Sequence, residues 1–167
     1  MRYTHFFRLR HVLPMFILCI AMSQSAYAQT SITDCGTSAN GLQSVANGLA
    51  GSYLMANDID CTGVGAFPIS GTFSGTFDGG GFVITGLQIN NGTTADTGLF
   101  SVVSGTVQNV GLVEVEVTGG NDTGALVGRV TAGGTISKVW ASGTVTSATG
   151  TNVGGILGSA IGTATLS

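Results

Sequence analysis

Asp58, Asp60 and Asp78 are the residues of this 167-residue chain whose type and spacing could do chemistry. Asp58 and Asp60 alternate, so an extended backbone would place both carboxylates on one face, with Asp78 one turn further on. Paired carboxylates cleave glycosidic bonds or bind calcium. Aspartates more commonly stabilise turns, because their oxygens accept hydrogen bonds from nearby backbone amides. We therefore expect no catalytic residue and no metal ligand here, with polysaccharide cleavage by these carboxylates as the alternative.

Histidine chemistry is absent from the expected mature chain. Residues 1–28 combine three arginines, an apolar run over residues 12–22 and the ending Ala26-Tyr27-Ala28. This order is typical of a secretory signal peptide that is cleaved near Ala28. The apolar run is too short to span a bilayer, so we expect no membrane insertion of the mature chain. Both histidines lie in this segment, and the sequence contains no H-E-x-x-H zinc motif.

The net charge limits the classes of partner, and the cysteine content indicates the compartment in which the protein folds. After residue 28 the chain carries eight acidic residues against Arg129 and Lys138, a formal net charge of −6. This charge disfavours nucleic acid as a partner, and no cofactor is expected. Cys35 and Cys61 remain, and an even pair in an exported protein predicts a disulfide, with free thiols or a metal-binding pair as alternatives.

Residues 70–89 hold six glycines in twenty positions, which raises the question of a phosphate-binding loop. Such loops carry a lysine after the second glycine and continue into a helix. Neither feature is present, because residues 82–89 read as a strand interrupted by Gly86. The glycines between Phe77 and Phe82 are instead predicted to form corners with positive φ, where a side chain would collide with a neighbouring turn.

A unit of about 28 residues recurs along the second half of the chain. Its leading glycines are Gly98, Gly124 and Gly154, which lie 26 and 30 residues apart. The superposition predicts an interior column of apolar residues and a second set of aligned glycines. The column consists of Leu99, Leu126 and Ile156, and the second glycine set consists of Gly105, Gly134 and Gly162.

Short strands separated by glycine fill each unit. Residues 112–120 alternate strictly, with Val113, Val115 and Val117 on one side and Glu114 and Glu116 on the other. No helical period is present there, and each unit has room for about three strands. Stacked units would pair each strand with its counterpart one turn on. The sequence therefore predicts an all-β, right-handed parallel β-helix, with a propeller and a sandwich as alternatives.

The two ends of the predicted β-helix differ. Residues 37–49 place Leu42, Val45, Ala46 and Leu49 at helical spacing, which predicts a short N-terminal capping helix. We divide the chain into a signal peptide (1–28), a cap with the disulfide (29–62) and a β-helix (63–167). The sequence stops inside the last unit, so we expect further repeats or another domain at that end.

Several of these motifs together resemble the GLUG-motif repeat family of secreted bacterial proteins, which occurs in adhesins and in N-terminal regions of immunoglobulin A1 peptidases. The resemblance spans most of residues 40–167. Relatives often read Asp-Gly-Asn-Gly-His where this chain has Asp-Gly-Gly-Gly-Phe at residues 78–82, which removes a polar position. The motifs that carry it are Asn57-Asp58-Ile59-Asp60, Phe73, residues 75–79, Gly98-Leu99-Phe100, and the G-x-[LI]-x-G pattern at Gly124 and Gly154.

The resemblance implies a β-helical secreted or cell-surface protein, and it does not imply peptidase activity. We expect a non-catalytic, adhesin-like protein or a spacer in a larger surface protein, with glycans or proteins of a cell surface as partners. Trp140 is either a packing residue or a platform for a sugar. A less favoured alternative is binding to ice or another regular surface through threonines, suggested by Thr144, Thr146, Thr163 and Thr165.

Overall fold

The computed structural model describes residues 28–65 and 68–167. The predicted signal segment lies almost entirely outside the described residues, so its cleavage near Ala28 stays a prediction. The described chain is nearly all β-structure. Its strands are β1 (Thr30–Ile32), β2 (Ser52–Met55), β3 (Ile59–Asp60), β4 (Ile69–Phe73), β5 (Thr76–Asp78), β6 (Val83–Thr85), β7 (Gln88–Asn90), β8 (Phe100–Val103), β9 (Thr106–Gln108), β10 (Gly111–Gly119), β11 (Thr123–Gly124), β12 (Val127–Val130), β13 (Thr135–Ser137), β14 (Trp140–Ser147), β15 (Val153–Gly154), β16 (Leu157–Ala160) and β17 (Thr165–Leu166).

The strands stack in parallel into three long sheets that wrap around one core. Sheet 1 has the order β1-β2-β5-β9-β13-β17, and sheet 2 has the order β3-β6-β10-β14 with β7 also beside β10. Sheet 3 has the order β4-β8-β12-β16, and β11 pairs with β15 in a small fourth sheet. The chain visits sheets 3, 1 and 2 in turn, and sheet 3 contains one strand from each of four turns. The predicted parallel β-helix is confirmed.

Successive turns differ slightly in length, which decides the register. In sheet 1 the inward residues Phe77, Val107, Ile136 and Leu166 pair in sequence, at spacings of 30, 29 and 30 residues. The leading glycines align as predicted, because Gly124 pairs with Gly154 and Thr97 bridges to Thr123.

The predicted third member of the second glycine set is wrong. Thr135 pairs with Thr165, so Ala164 and not Gly162 follows Gly134 in that column. The last turn has two more residues before its sheet 1 strand than the glycine alignment assumed. Gly162 lies in the turn before β17, with a φ of +73°.

Aromatic and aliphatic side chains fill the interior. Phe73 and Phe100 lie in neighbouring strands of sheet 3 with ring centroids 5.0 Å apart, and Phe77 of sheet 1 meets Phe100 edge-on at 5.4 Å. The predicted apolar column is confirmed by the pairing of sheet 3. Leu99 and Leu126 in that column are fully buried, whereas Ile156 in the last turn is half-buried.

The corners are made by residues with positive φ. Gly80 and Gly81 supply the corner between sheets 1 and 2 in the second turn, as predicted, and Gly86 bends sheet 2 between β6 and β7. The next turn has Glu114 at this bend, with a φ of +53°. The strict alternation predicted for residues 112–120 is therefore wrong. Because the chain bends at Glu114, Leu112 and Val115 both face the core although they are three residues apart.

A short 3-10 helix, Leu42–Asn47, packs against β4 at the N-terminal end. It is shorter than the predicted helix over 37–49, because glycines flank it at positions 41 and 48. Leu42 and Val45 are buried as predicted, whereas Ala46 is exposed. Strands β1 to β3 already belong to sheets 1 and 2, so parallel pairing begins within residues 29–62, the segment that the sequence assigned to a cap.

Candidate functional site

The disulfide ties down the first turn. Cys35 and Cys61 are bonded, as predicted, with their Cα atoms 5.3 Å apart and both side chains buried. The bond joins the loop after β1 to the residue that follows β3. A link across 26 residues stabilises the fold by about 3 kcal/mol in the chain-entropy view. Such a bond fits an oxidising, extracellular compartment.

The three aspartates singled out in the sequence do not share a face. Asp60 lies on β3 in sheet 2, and Asp58 precedes it and accepts a hydrogen bond from the backbone N–H of Val83 at 2.9 Å. Asp78 lies at the end of β5 in sheet 1, where it pairs with Leu54. The expectation that Asp78 stacks one turn above Asp58 and Asp60 is wrong, because a corner separates the two sheets.

Within the described residues, Asp78 is the carboxylate that accepts the most hydrogen bonds. Its Oδ1 accepts hydrogen bonds from the Gly80 backbone at 2.8 Å and from Asn109 Nδ2 at 3.0 Å, and its Oδ2 accepts one from Gln108 Nε2 at 2.8 Å. Burial alone would raise the pKa of Asp78, but these hydrogen bonds and the nearby positive charge of Lys138 lower it overall. The ionised side chain of Asp78 therefore stabilises this corner by accepting hydrogen bonds.

Other aspartates also accept hydrogen bonds from residues close to them in the sequence. Asp60 accepts a hydrogen bond from the Thr62 backbone at 2.8 Å, and hydrogen bonding with Thr62 lowers the pKa of its carboxyl group. Asp34 accepts from Gly36 and Ser38 in the cap. Within residues 28–65 and 68–167, no group of three or more histidine, cysteine, aspartate or glutamate side chains is placed to hold a metal ion.

One ion pair spans neighbouring turns at the corner between sheets 2 and 3. Arg129 Nη2 lies 2.8 Å from Asp96 Oδ2, and both side chains are partly buried. Burial raises the pKa of Asp96, with a contribution in the same direction from Asp122, while Arg129 lowers it; the pKa is raised overall. Asp96, Asp122 and Asn152 occupy the same place in successive turns, and all have φ between +52° and +56°.

Trp140 is a surface residue. It lies on β14 of sheet 2 with 51% of its area exposed, and its indole covers the backbone of Gly111 in the turn before. A Cβ atom on Gly111 would come within 2.5 Å of the ring. The glycine therefore lets the indole lie flat on the outside of the sheet. The indole thus packs on the backbone of the previous turn and keeps its other face accessible, so both the packing and the sugar-platform interpretations of Trp140 stay open.

Hydroxyl groups form a column on sheet 1 that the sequence did not reveal. Strand pairing aligns a serine and four threonines at one position of successive turns, at the spacing of about 4.8 Å between neighbouring strands. On sheet 2, by contrast, Thr144 pairs with Glu116, so the threonine pair at 144 and 146 is not repeated in the turn before. The column consists of Ser52, Thr76, Thr106, Thr135 and Thr165.

Apolar side chains of the last turn are exposed to solvent. Val153, Ile161 and Leu166 are each 45% to 57% exposed, whereas Thr123 and Ile136, which pair with Val153 and Leu166 in the turn before, are buried. Strands β14, β15, β16 and β17 lie at the ends of their sheets. No residue after Lys138 is charged. This edge therefore lacks the charges that usually protect exposed strands from pairing with other chains.

Within the described residues, the chain has no helix with the length and apolar character needed to cross a bilayer. The chain matches no protein-family model and no solved structure. It is similar to Halomucin of Haloquadratum walsbyi, with 37% identity over 125 residues that cover 64% of this chain. The chain spans only 1% of the length of that protein.

Proposed function

We propose that this chain is a non-catalytic β-helical module of a secreted or cell-surface protein, with an adhesin-like or spacer role. The observation that carries the proposal is the use of the aspartates. All six accept a hydrogen bond within the described residues, from backbone, hydroxyl, amide or guanidinium groups. Carboxylates that hold corners together are not arranged as an acid and a base around a substrate.

The shape of the molecule supports the same role. Three stacked sheets present long outer faces that carry small polar side chains, including the hydroxyl column of sheet 1. Such faces suit many modest contacts along a glycan or a protein, and repetition in a longer array would multiply their strength. The exposed indole of Trp140 adds an aromatic surface on which a sugar ring could stack.

The disulfide and the similarity to Halomucin support a location outside the cell. A buried disulfide is expected to persist outside the reducing cytosol. The name Halomucin indicates a mucin, and this chain matches 1% of that protein's length, so a module of this size would be one small part of such a protein. The last turn presents unpaired strand edges without charge, which suits contacts with a partner at that end.

The experiment compares turnover with binding. The purified mature chain is incubated with pectin, other acidic polysaccharides and mucin glycans, with and without calcium, alongside Asp58→Ala and Asp78→Ala. Asp34→Ala, in the cap, is the matched control. We expect binding without turnover, and the negative charge of the chain should make the acidic polysaccharides the weaker ligands. Saturable cleavage that Asp58→Ala or Asp78→Ala abolishes and Asp34→Ala retains would overturn the proposal in favour of a polysaccharide-cleaving enzyme.

A further inference from the structure

The corner between sheets 2 and 3 carries two acceptor sequences for N-linked sugars. Residues 91–93 read Asn-Gly-Thr and residues 121–123 read Asn-Asp-Thr. Asparagine followed by any residue except proline and then by serine or threonine is the acceptor sequence for N-glycosylation in exported proteins. The first sequence follows β7 and the second follows β10, so they occupy corresponding loops of consecutive turns.

The two loops stack directly on each other. The backbone N–H of Gly120 donates a hydrogen bond to the carbonyl of Thr94 at 2.7 Å, and that of Asp96 donates to the carbonyl of Asn121 at 2.9 Å. Strand pairing of Thr118 with Asn90 sets this register. The two asparagines therefore lie in stacked loops at one corner of the molecule, with Asn91 beside Gly119 and Asn121 beside Ala95.

Asn121 presents its amide nitrogen to solvent. The residue is exposed, and its Oδ1 accepts hydrogen bonds from the hydroxyls of Thr149 and Thr151 in the next turn. No hydrogen bond within the described residues uses its Nδ2. Since an amide group is planar, fixing the oxygen towards one turn directs the nitrogen away from it. The side chain is thus held in an orientation that leaves room for a sugar on Nδ2.

Asn91 also keeps a hydrogen available for substitution. Its Nδ2 carries two hydrogens and donates one to Thr97 Oγ1 at 3.2 Å. Gly92 has a φ of +58° with no atom near the position of a Cβ, and Thr93 is exposed. The acceptor sequence therefore forms an open turn on the surface, which is the setting in which such sequences are used.

We propose that Asn91 and Asn121 are N-glycosylated, so that this corner carries two sugar chains on consecutive turns. The Nδ2 of each asparagine attacks the anomeric carbon of an oligosaccharide carried on a lipid phosphate or pyrophosphate. A carbon–nitrogen bond forms, the bond from that carbon to the phosphate oxygen breaks, and Nδ2 loses one proton. Each Nδ2 keeps its second hydrogen and each Oδ1 is unchanged, so the hydrogen bonds described above persist.

The proposal rests on the extracellular location proposed above, because the sugar is transferred to exported chains. Under this proposal, the corner beside sheet 3 and the outer face of sheet 1 have different functions. Sugar chains at this corner would shield the loops beside sheet 3 from proteases. The hydroxyl column of sheet 1 would stay free for contacts with a partner.

The first test is mass spectrometry of the protein recovered outside the cells of its source organism. Intact glycopeptides are measured, because Asn-Gly sequences deamidate spontaneously and imitate the mark left by enzymatic sugar removal. We expect sugar masses on the peptides that contain Asn91 and Asn121. Asn152 occupies the same corner but lies two residues before Gly154, so it is the internal control and should be unmodified.

Variants expressed in a eukaryotic secretory host distinguish an effect of the acceptor sequence from an effect of the local fold. Thr93→Ala should abolish the sugar on Asn91, and Thr93→Ser should keep it. Asn121→Gln should abolish the other sugar, and Thr123→Ser should keep it along with the buried hydroxyl. Circular dichroism checks that each variant is folded.

Unmodified asparagine at either site of the exported protein, or equal modification of Asn152, would overturn the glycosylation proposal. A protein that begins at Gln29 outside the cell but carries no sugar would leave the proposed location standing. A protein that keeps residues 1–28 and stays in the cytosol would overturn the proposed function itself. The two failures are therefore distinguishable.

Discussion

At the scale of single residues, close packing between turns decides which positions tolerate a side chain. Gly75 and Gly105 occupy the same place in successive turns, just before β5 and β9 in the corner between sheets 3 and 1. A Cβ atom on Gly105 would lie 2.1 Å from the carbonyl oxygen of Gly75, which is far inside contact distance. The backbone of one turn therefore fills the space where the next turn would need a side chain.

Gly105→Ala should lower the free energy of unfolding by roughly 1–3 kcal/mol, because the strands must separate locally to admit the methyl group. Urea unfolding followed by circular dichroism measures this loss. Gly155→Ala is the matched control, since no atom lies within 4 Å of its added Cβ and we expect little change. Equal stability of the two variants would contradict the packing described for this corner.

The lowered pKa of Asp78 makes its contribution to stability dependent on pH. A carboxyl whose folded-state pKa lies below its unfolded value stabilises the fold fully above the unfolded pKa, which is 3.8 for Asp78. That stability is lost as the pH falls through the folded-state value.

Asp78→Asn should therefore be less stable than the parent protein at pH 7, because its amide group cannot accept all three hydrogen bonds. The difference in free energy of unfolding between the two proteins should shrink as the pH falls below about 4. Urea unfolding from pH 7 to pH 2 measures it. Gln108→Ala, which removes one donor and keeps the carboxyl, should show an intermediate difference. A difference that is constant with pH would contradict the assignment.

At the scale of elements, the sheets are held together by an interior stack of large side chains. Tyr53, Phe73, Phe77 and Phe100 connect strands of sheets 1 and 3 from successive turns, with centroid distances of 5.0 to 6.2 Å. Parallel sheets buried on one side depend on this burial, because each strand is too short to be stable alone. Trp140 is the contrasting aromatic residue, on the outer face of sheet 2.

Phe100→Ala should lower the free energy of unfolding by about 3–5 kcal/mol, because it empties a fully buried site. Trp140→Ala should lower it by only about 1 kcal/mol, since half of that side chain is already in water. Far-UV circular dichroism is the suitable probe, because the second variant removes the tryptophan. Similar losses in both variants would show that the indole has a structural role that its exposure does not indicate.

At the scale of the whole molecule, the two ends of the β-helix have opposite character. The first turn is covered by the helix Leu42–Asn47 and fastened by the disulfide. The last turn exposes apolar side chains and unpaired strand edges and bears no charge. An edge of this kind pairs readily with other strands, whether these belong to further turns or to other molecules.

The chain on its own should therefore associate through its last turn as its concentration rises. Leu166→Lys places a charge on that edge and should reduce the association, which light scattering across a concentration series measures. Leu54→Lys is the control, because Leu54 is an exposed leucine on the same sheet but in an early turn. A monomeric parent protein, or an equal effect of both substitutions, would contradict this assignment.

Local patterns in the sequence predicted the elements well. Recurring Gly98, Gly124 and Gly154 indicated a repeated unit, and short alternating strands between glycines indicated parallel stacking. The pairing of Cys35 with Cys61 followed from their being the two cysteines left after the predicted export signal. These features depend on residues close together in the sequence or on simple counting, so they were accessible without the structure.

The tertiary structure alone decided which residues become neighbours across turns. The turns of sheet 1 are 24, 30, 29 and 30 residues long from Tyr53 to Leu166, so a shift of one or two residues anywhere changes every later partner. That is why Ala164 replaced Gly162 in its column. It is also why the aligned hydroxyls of sheet 1 were not visible in the sequence. Asp78 lies on a different sheet from Asp60 because a corner, whose position the structure alone shows, separates their strands. The sequence by itself determined the strands, the repeat and the disulfide. Hydrogen-bond register between turns of unequal length determined the surfaces, because only that register brings residues about 30 positions apart within contact distance.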